Sequence, residues 1–158
     1  NDTGLEMDQI KPGVEVLNVA IPFIDQGKFI KIVTEYILDI NPKLTIIHST
    51  ITPGTTLKVL EKLNNSHLVV HSPVRGIHPN LYEGLKTFTK FIGSDNKEAT
   101  IATREHYNEL EVKYEMFKGS KATELAKVLS TTYYGMCIAF HNDMNKLCKE
   151  HDVKVILN

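Results

Sequence analysis

The chain has 158 residues, 42% of them hydrophobic and 23% charged, with a formal net charge of −1. That is enough apolar material for one cored domain, and the charge is spread without a basic block, which argues against nucleic acid as a partner. No apolar run approaches the roughly 18–20 residues a bilayer-spanning helix needs, and no signal-peptide pattern opens the chain, so a membrane is not an expected partner either.

Strand-like and helix-like stretches then alternate. Val14 to Ile21 (VEVLNVAI) is β-branched and mostly apolar up to Pro22, as a strand buried on both faces reads. Phe29, Ile32, Val33, Tyr36, Ile37 and Ile40 recur at helical spacing, ended by Asn41-Pro42. A second buried strand, Leu44 to His48 (LTIIH), leads through the turn STITPG into a short helix from Thr55 to about Leu63. His67 to His71 (HLVVH) reads as the third strand, followed by HSPVRGIHP and a helical turn near Leu81–Leu85. Thr89 to Gly93 and Val112 to Phe117 read as further strands, with a helix over Lys97 to Leu110 between them. Strands alternating with helices in this way imply an α/β fold, a mostly parallel sheet with helices on both faces.

The longest helical pattern runs from about Lys121 to Glu150. At 1.5 Å per residue it is about 45 Å long, more than a small domain is wide. Its apolar stripe, Leu125, Val128, Leu129, Thr132, Tyr133, Met136, Phe140, Met144 and Leu147, must cover its far half against something beyond the sheet. A further domain or a second copy of the chain would serve, unless a break near Gly135 folds the helix in two. Cys137 and Cys148 on this helix would stand roughly 16 Å apart, too far to pair with each other. Reduced, core-facing thiols of a cytoplasmic protein are expected. The chain begins without methionine and stops in the apolar-rich KVILN, so a fragment of a longer protein is expected.

The nine glycines contain no G-x-G, so neither a dinucleotide fingerprint nor a P-loop is present. H-E-x-x-H and G-x-S-x-G are absent as well. What remains lies at strand ends, where open parallel sheets bind ligands. Two successive strands end in His-Ser, at His48-Ser49-Thr50 and His71-Ser72-Pro73, with Arg75 and His78 close behind. Three readings stay open for this cluster. A metal site would need three or four converging ligands, and carboxylates or thiolates are not close by in sequence. Recognition of an anion suits the planar fork of Arg75 with histidines as hydrogen-bond partners. Histidines that merely cap strand ends would do neither.

These residues also carry a resemblance. STITPGTT (Ser49–Thr56) is similar to the S-T-V-x-P-G-T turn of nucleotide-sugar dehydrogenases, the UDP-glucose and GDP-mannose dehydrogenase group. HSPVRG resembles their S-P-E loop and TKFIGS their next strand, while Ala122–Glu150 resembles the long helix that bears K-x-x-x-N and then Asn-Glu. The resemblance spans roughly Val14 to Ile156. It implies that residues 1–119 are a partial Rossmann-type NAD-binding domain lacking the first βαβ unit. Residues 120–158 would be the long linking helix and the start of a helical dimerisation domain. The glycine fingerprint and the catalytic cysteine segment would lie outside this chain.

By position, Pro22, Ser49 and Thr50 would approach the cofactor, and Thr50 would also orient a water. Lys127 would stabilise charge at the reacting carbon, Thr131 stands where the family has asparagine, and Asn142-Asp143 would match the Asn-Glu pair. The family glutamate is Val74 here, so His71, Arg75 or His78, together with Lys127, would take over contact with the substrate. The implied function is that of a fragment of an NAD(P)-dependent oxidoreductase acting on an alcohol of a sugar nucleotide or related anionic substrate. Such a chain would be inactive alone, would hold NAD or NADP tightly only within a full-length parent, and would pair as a homodimer through the 121–150 helix. The residues also admit a self-associating structural module, or a small-anion-binding module without catalysis.

Overall fold

The computed structural model describes residues 13–75 and 81–154. The first strand, β1 (Val16–Val19), is followed by α1 (Gln26–Ile40), β2 (Leu44–Ile47), α2 (Thr55–Lys62) and β3 (Val69–His71). Next come α3 (Leu81–Thr87), β4 (Lys90–Ser94), α4 (Lys97–Glu109), β5 (Tyr114–Lys118) and the long α5 (Ser120–Glu150). The alternation and the α/β class read from the sequence therefore hold, with strand ends differing from the expected ones by one or two residues.

The sheet runs β1-β2-β3-β4-β5 in space. Strands β1, β2 and β3 are mutually parallel, and so are β4 and β5. The two sets meet antiparallel, with His71 opposite Gly93. This junction has a direct consequence for the site. It sets Lys90, the first residue of β4, and Thr89 just before it beside the carboxyl end of β3.

Local signals explain the helix boundaries. The Asp25 side chain accepts from Lys28 N at 2.9 Å and caps α1, which ends where Asn41 turns left-handed (φ 49°) ahead of Pro42. Asn96 caps α4 in the same way, accepting from Ala99 N at 3.1 Å. On one face of the sheet, Phe29, Val33 and Ile37 of α1 and Val59 and Leu60 of α2 pack against Val19, Ile47 and Val69. On the other, Ala99 and Tyr107 of α4 cover Ile46, Val70 and Ile92. Each such Val, Ile or Leu side chain contributes about 1.5–3 kcal/mol by leaving water.

Helix α5 reverses the usual rule that the apolar face is buried. Its first turns bury Ser120, Thr123 and Glu124. The apolar stripe faces outward, with Leu129, Met136 and Phe140 58%, 67% and 59% exposed. The helix passes through Gly135 without a break. Cys137 and Cys148 are free and partly exposed on this outer half, and among the described residues neither belongs to the core clusters. Among the described residues, no helix is long and apolar enough to cross a membrane.

Candidate functional site

The three-residue run Thr89-Lys90-Phe91 organises the site. Strand alternation sends neighbouring side chains to opposite faces of a sheet, so Lys90 and Phe91 part company at once. The Phe91 ring carries the Arg75 guanidinium 4.3 Å above its centroid, and the Phe88 ring lies 5.6 Å from the same group. Arg75 Nη1 donates to Thr89 O at 3.1 Å. Arginine over aromatic faces is held in one orientation by the ring quadrupole. Among the described residues Arg75 makes no other hydrogen bond, which leaves its remaining donors to the cleft beside it.

That cleft has a volume of about 370 Å³ and lies between the β3–α3 connection, β4 and α5. Arg75, Phe88 and Phe91 line one side, and Lys127, Thr131 and Tyr134 of α5 line the other. Lys127 is half-buried. Desolvation first, and then the Arg75 charge, push its ammonium below the ordinary lysine value. Among the described residues, no ion pair includes Arg75, Lys90 or Lys127. A small cleft faced by two cations without a paired carboxylate attracts an anion.

The structure thus brings three of the expected site residues, Arg75, Lys127 and Thr131, to one cleft. The Thr131 hydroxyl donates to Lys127 O at 2.9 Å, within α5. His78 lies outside the described residues. Pro22 and Thr50 are exposed at the carboxyl ends of β1 and β2, apart from the cleft lining.

Two expectations need correction. His71 does not face a ligand: it is fully buried, with Nε2 donating to Ser49 O at 3.1 Å and Nδ1 accepting from the Thr123 hydroxyl at 2.8 Å. Burial above all holds its imidazole neutral, with a pKa of about 4. Ser49 is likewise turned inward, its hydroxyl donating to Ile21 O at 2.7 Å and accepting from Ile21 N at 3.0 Å. Both residues fasten the strand ends together rather than reaching outward. His48 is also held near 4, by burial first and then by the Lys90 charge. Its ring nitrogens lie 2.7 Å from Ser72 O and 2.8 Å from Asn18 Oδ1. Among the described residues, no three of His, Cys, Asp or Glu converge as metal ligands.

Two buried charged residues carry weight that the sequence reading passed over. Lys90 is 3% exposed and donates to Ser72 O at 2.9 Å and to Pro73 O at 3.0 Å. Glu124 is fully buried, and its carboxylate accepts from Gly54 N, from Thr56 N at 2.8 Å and from the Thr56 hydroxyl at 2.6 Å. It supplies the cap that α2 lacks, since Gly54 at the N-cap position has no side chain to give. A signal for Glu124 was legible: Ser120, Thr123, Glu124 and Lys127 share one face of α5 at helical spacing.

No family model matches the chain. Its sequence is 26% identical over 154 residues to a UDP-N-acetyl-D-mannosamine dehydrogenase of Methanococcus vannielii, a match covering 98% of this chain and 33% of the relative. A second UDP-N-acetyl-D-mannosamine dehydrogenase, from Methanococcus maripaludis, is 32% identical over 112 residues, 71% of this chain and 26% of the relative. The solved UDP-N-acetyl-mannosamine dehydrogenase of Pyrococcus horikoshii superposes with a TM-score of 0.78, covering 94% of this chain and 39% of that one at 23% identity. Over most of its length the chain is similar to nucleotide-sugar dehydrogenases. It spans about a third of the length of the curated relatives it matches. The matched stretch runs through β1 to β5 and into α5, the elements that build the cleft.

Proposed function

We propose that this chain forms part of an NAD(P)-dependent dehydrogenase that oxidises an alcohol of a sugar nucleotide or a related anionic substrate, with the Arg75–Lys127 cleft holding the anion. The observation that carries this reading is the cleft itself: two cations, aromatic walls and no paired carboxylate among the described residues. Relatives named for UDP-N-acetyl-D-mannosamine support a substrate of that chemistry. As an alcohol loses its proton, negative charge gathers on its oxygen. A fixed, partly desolvated ammonium such as Lys127 stabilises that charge more than water does.

The residues present suit one part of a nicotinamide cofactor. Pro22 and Thr50 form an exposed ledge at the carboxyl edge of the sheet, and the Ser49–Ile21 hydrogen bonds hold it rigid. A nicotinamide bound there supplies the hydride acceptor. The pyrophosphate needs a glycine-rich turn, and the chain has no G-x-G. In this reading residues 1–119 are the partial cofactor domain and 120–158 the linking helix, so the chain alone is inactive. Calorimetry with NAD and NADP is expected to show no tight binding, and micromolar affinity would contradict the division. The outward apolar row on α5 supports a homodimer through the 121–150 helix, and a clean monomer in sedimentation at tens of micromolar would contradict it.

The substrate reading is tested by comparing UDP-N-acetyl-D-mannosamine with the uncharged N-acetyl-D-mannosamine as ligands of the chain. Only the charged form is expected to bind. Equal binding of the two would overturn the anion cleft.

A further inference from the structure

Burying an ammonium without a counter-ion is costly, because the charged form loses its hydration. Lys90 is nonetheless buried, and among the described residues no carboxylate pairs with it. Its hydrogen-bond partners are two consecutive carbonyls, Ser72 O and Pro73 O, while His48 Nδ1 stands 3.3 Å from it. These carbonyls begin the segment that ends in Arg75. Thr89, the residue just before Lys90, accepts from Arg75, and Phe91, just after it, supports the guanidinium. The short run Thr89-Lys90-Phe91 therefore grips the segment 72–75 at both ends.

We propose that Lys90 is the positioning residue of the anion cleft: its buried ammonium fixes the Ser72-Pro73 carbonyls so that the Arg75 guanidinium lies on Phe91 and faces Lys127. The inference rests on the reading of the cleft as an anion site. Lys90 does not touch the anion; it acts through the loop and adds a third positive charge behind it.

The groups facing Lys90 are of few kinds. His48 stands at the end of β2, and His71 lies at the end of β3. Tyr107 of α4, which donates to Ser72 Oγ at 2.8 Å, stands beside His106, and Lys127 looks across from α5. His48 and His71 are neutral above about pH 5 given pKa values of about 4, and burial raises Tyr107 to about 12. Burial first, and then Lys127, lower Lys90 to about 8. Charge on Lys90 and occupancy of the cleft therefore favour each other, and both weaken as pH rises through about 8.

The test uses the whole chain, with NMR of the Arg75 side-chain protons and inorganic pyrophosphate as the probe. In the ligand-free chain the Phe91 ring is expected to shift the Arg75 protons upfield at pH 6.5, and Lys90→Met is expected to abolish that shift while Lys90→Arg keeps it. Pyrophosphate affinity is expected to fall about tenfold in Lys90→Met. The wild-type loss of affinity near pH 8 should vanish in Lys90→Met, and in Lys127→Met, which removes a charge that lowers Lys90, it should persist but move to higher pH. Far-UV circular dichroism and the methyl signals of Val70 and Ile92 report whether Lys90→Met folds. If it does not, the comparison of wild type with Lys90→Arg, and the wild-type pH course of the Arg75 shift, decide the matter. An Arg75 shift that ignores both Lys90→Met and pH, with unchanged pyrophosphate affinity, overturns the proposal. Unchanged affinity in Arg75→Ala and Lys127→Ala would instead sink the anion cleft, and the ligand-free Arg75 shift would still judge Lys90.

Discussion

The Thr123 hydroxyl donates to His71 Nδ1 across 2.8 Å, joining the first turn of α5 to the last residue of β3. From there the connection runs on through His71 Nε2 to Ser49 O and through the Ser49 hydroxyl to Ile21. A single line of hydrogen bonds thus crosses the carboxyl edge of β3, β2 and β1. It ties the helix that carries Lys127 to the ledge formed by Pro22 and Thr50. Thr123→Val removes the donor and leaves a buried imidazole nitrogen unpaired, at a cost of about 1–3 kcal/mol. Urea unfolding should show that loss, and Thr123→Ser, which keeps the hydroxyl, should recover most of it.

Gly93 sits under the same turn. A Cβ added there would lie 2.2 Å from Thr123 Oγ1 and 3.0 Å from Gly119 O, and the backbone carbonyl cannot swing aside. Gly93→Ala is therefore expected to lift the start of α5 from β4 and to cost about 1–3 kcal/mol or more, as overpacking does. The comparison is Gly135→Ala, where nothing lies within 4 Å of the new atom. That variant should match or slightly exceed wild type in thermal unfolding, since alanine favours helix over glycine by about 1 kcal/mol.

Glu124 stabilises α2 from a distance of 70 residues along the chain, through the amides of Gly54 and Thr56. Glu124→Gln exchanges one acceptor oxygen for an NH2 that meets a backbone N–H, so about 1.5–3 kcal/mol should be lost. Hydrogen exchange offers the sharper readout. Amides in the first turn of α2 should exchange faster in the variant, while those of α4 remain as in wild type.

His48 and His71 make stability depend on pH in a stated direction. Both are held at about 4 in the folded chain, against 6.5 when unfolded, chiefly by burial. Between those values the unfolded chain binds more protons, so stability is full above pH 6.5 and falls as pH drops towards 4. Each ring accounts for up to about 3 kcal/mol, at roughly 1.4 for each pH unit of displacement. Unfolding midpoints recorded from pH 7.5 to 4.5 should decline, and His48→Gln should flatten the decline. A midpoint that rises on acidification would contradict the burial of these rings.

Much of this architecture could be read from the chain, because apolar runs such as LTIIH and VVH repeat with helical patterns between them. The antiparallel β3–β4 junction could not: TKFIG reads the same whichever way its neighbour runs. That single ambiguity concealed Lys90, since only the junction brings the start of β4 to the carboxyl end of β3. His71 was misread for a related reason. A histidine closing a strand looks like the first polar residue of a loop until Thr123, 52 residues later, folds over it. Arg75, by contrast, was legible as a guanidinium in a strand-end loop, and Lys127 through the resemblance of its helix to that of the nucleotide-sugar dehydrogenases; both line one cleft.

The most direct test of the account is a titration of the chain with UDP at low ionic strength, following the side-chain resonances of Arg75 and Lys127. The expected result is a shift at both residues and at the Phe91 ring, with affinity that falls as salt rises. Arg75→Ala and Lys127→Ala should each weaken binding by about tenfold or more. Shifts confined to other parts of the chain, or none at millimolar UDP, would contradict the claim that this cleft receives the anion.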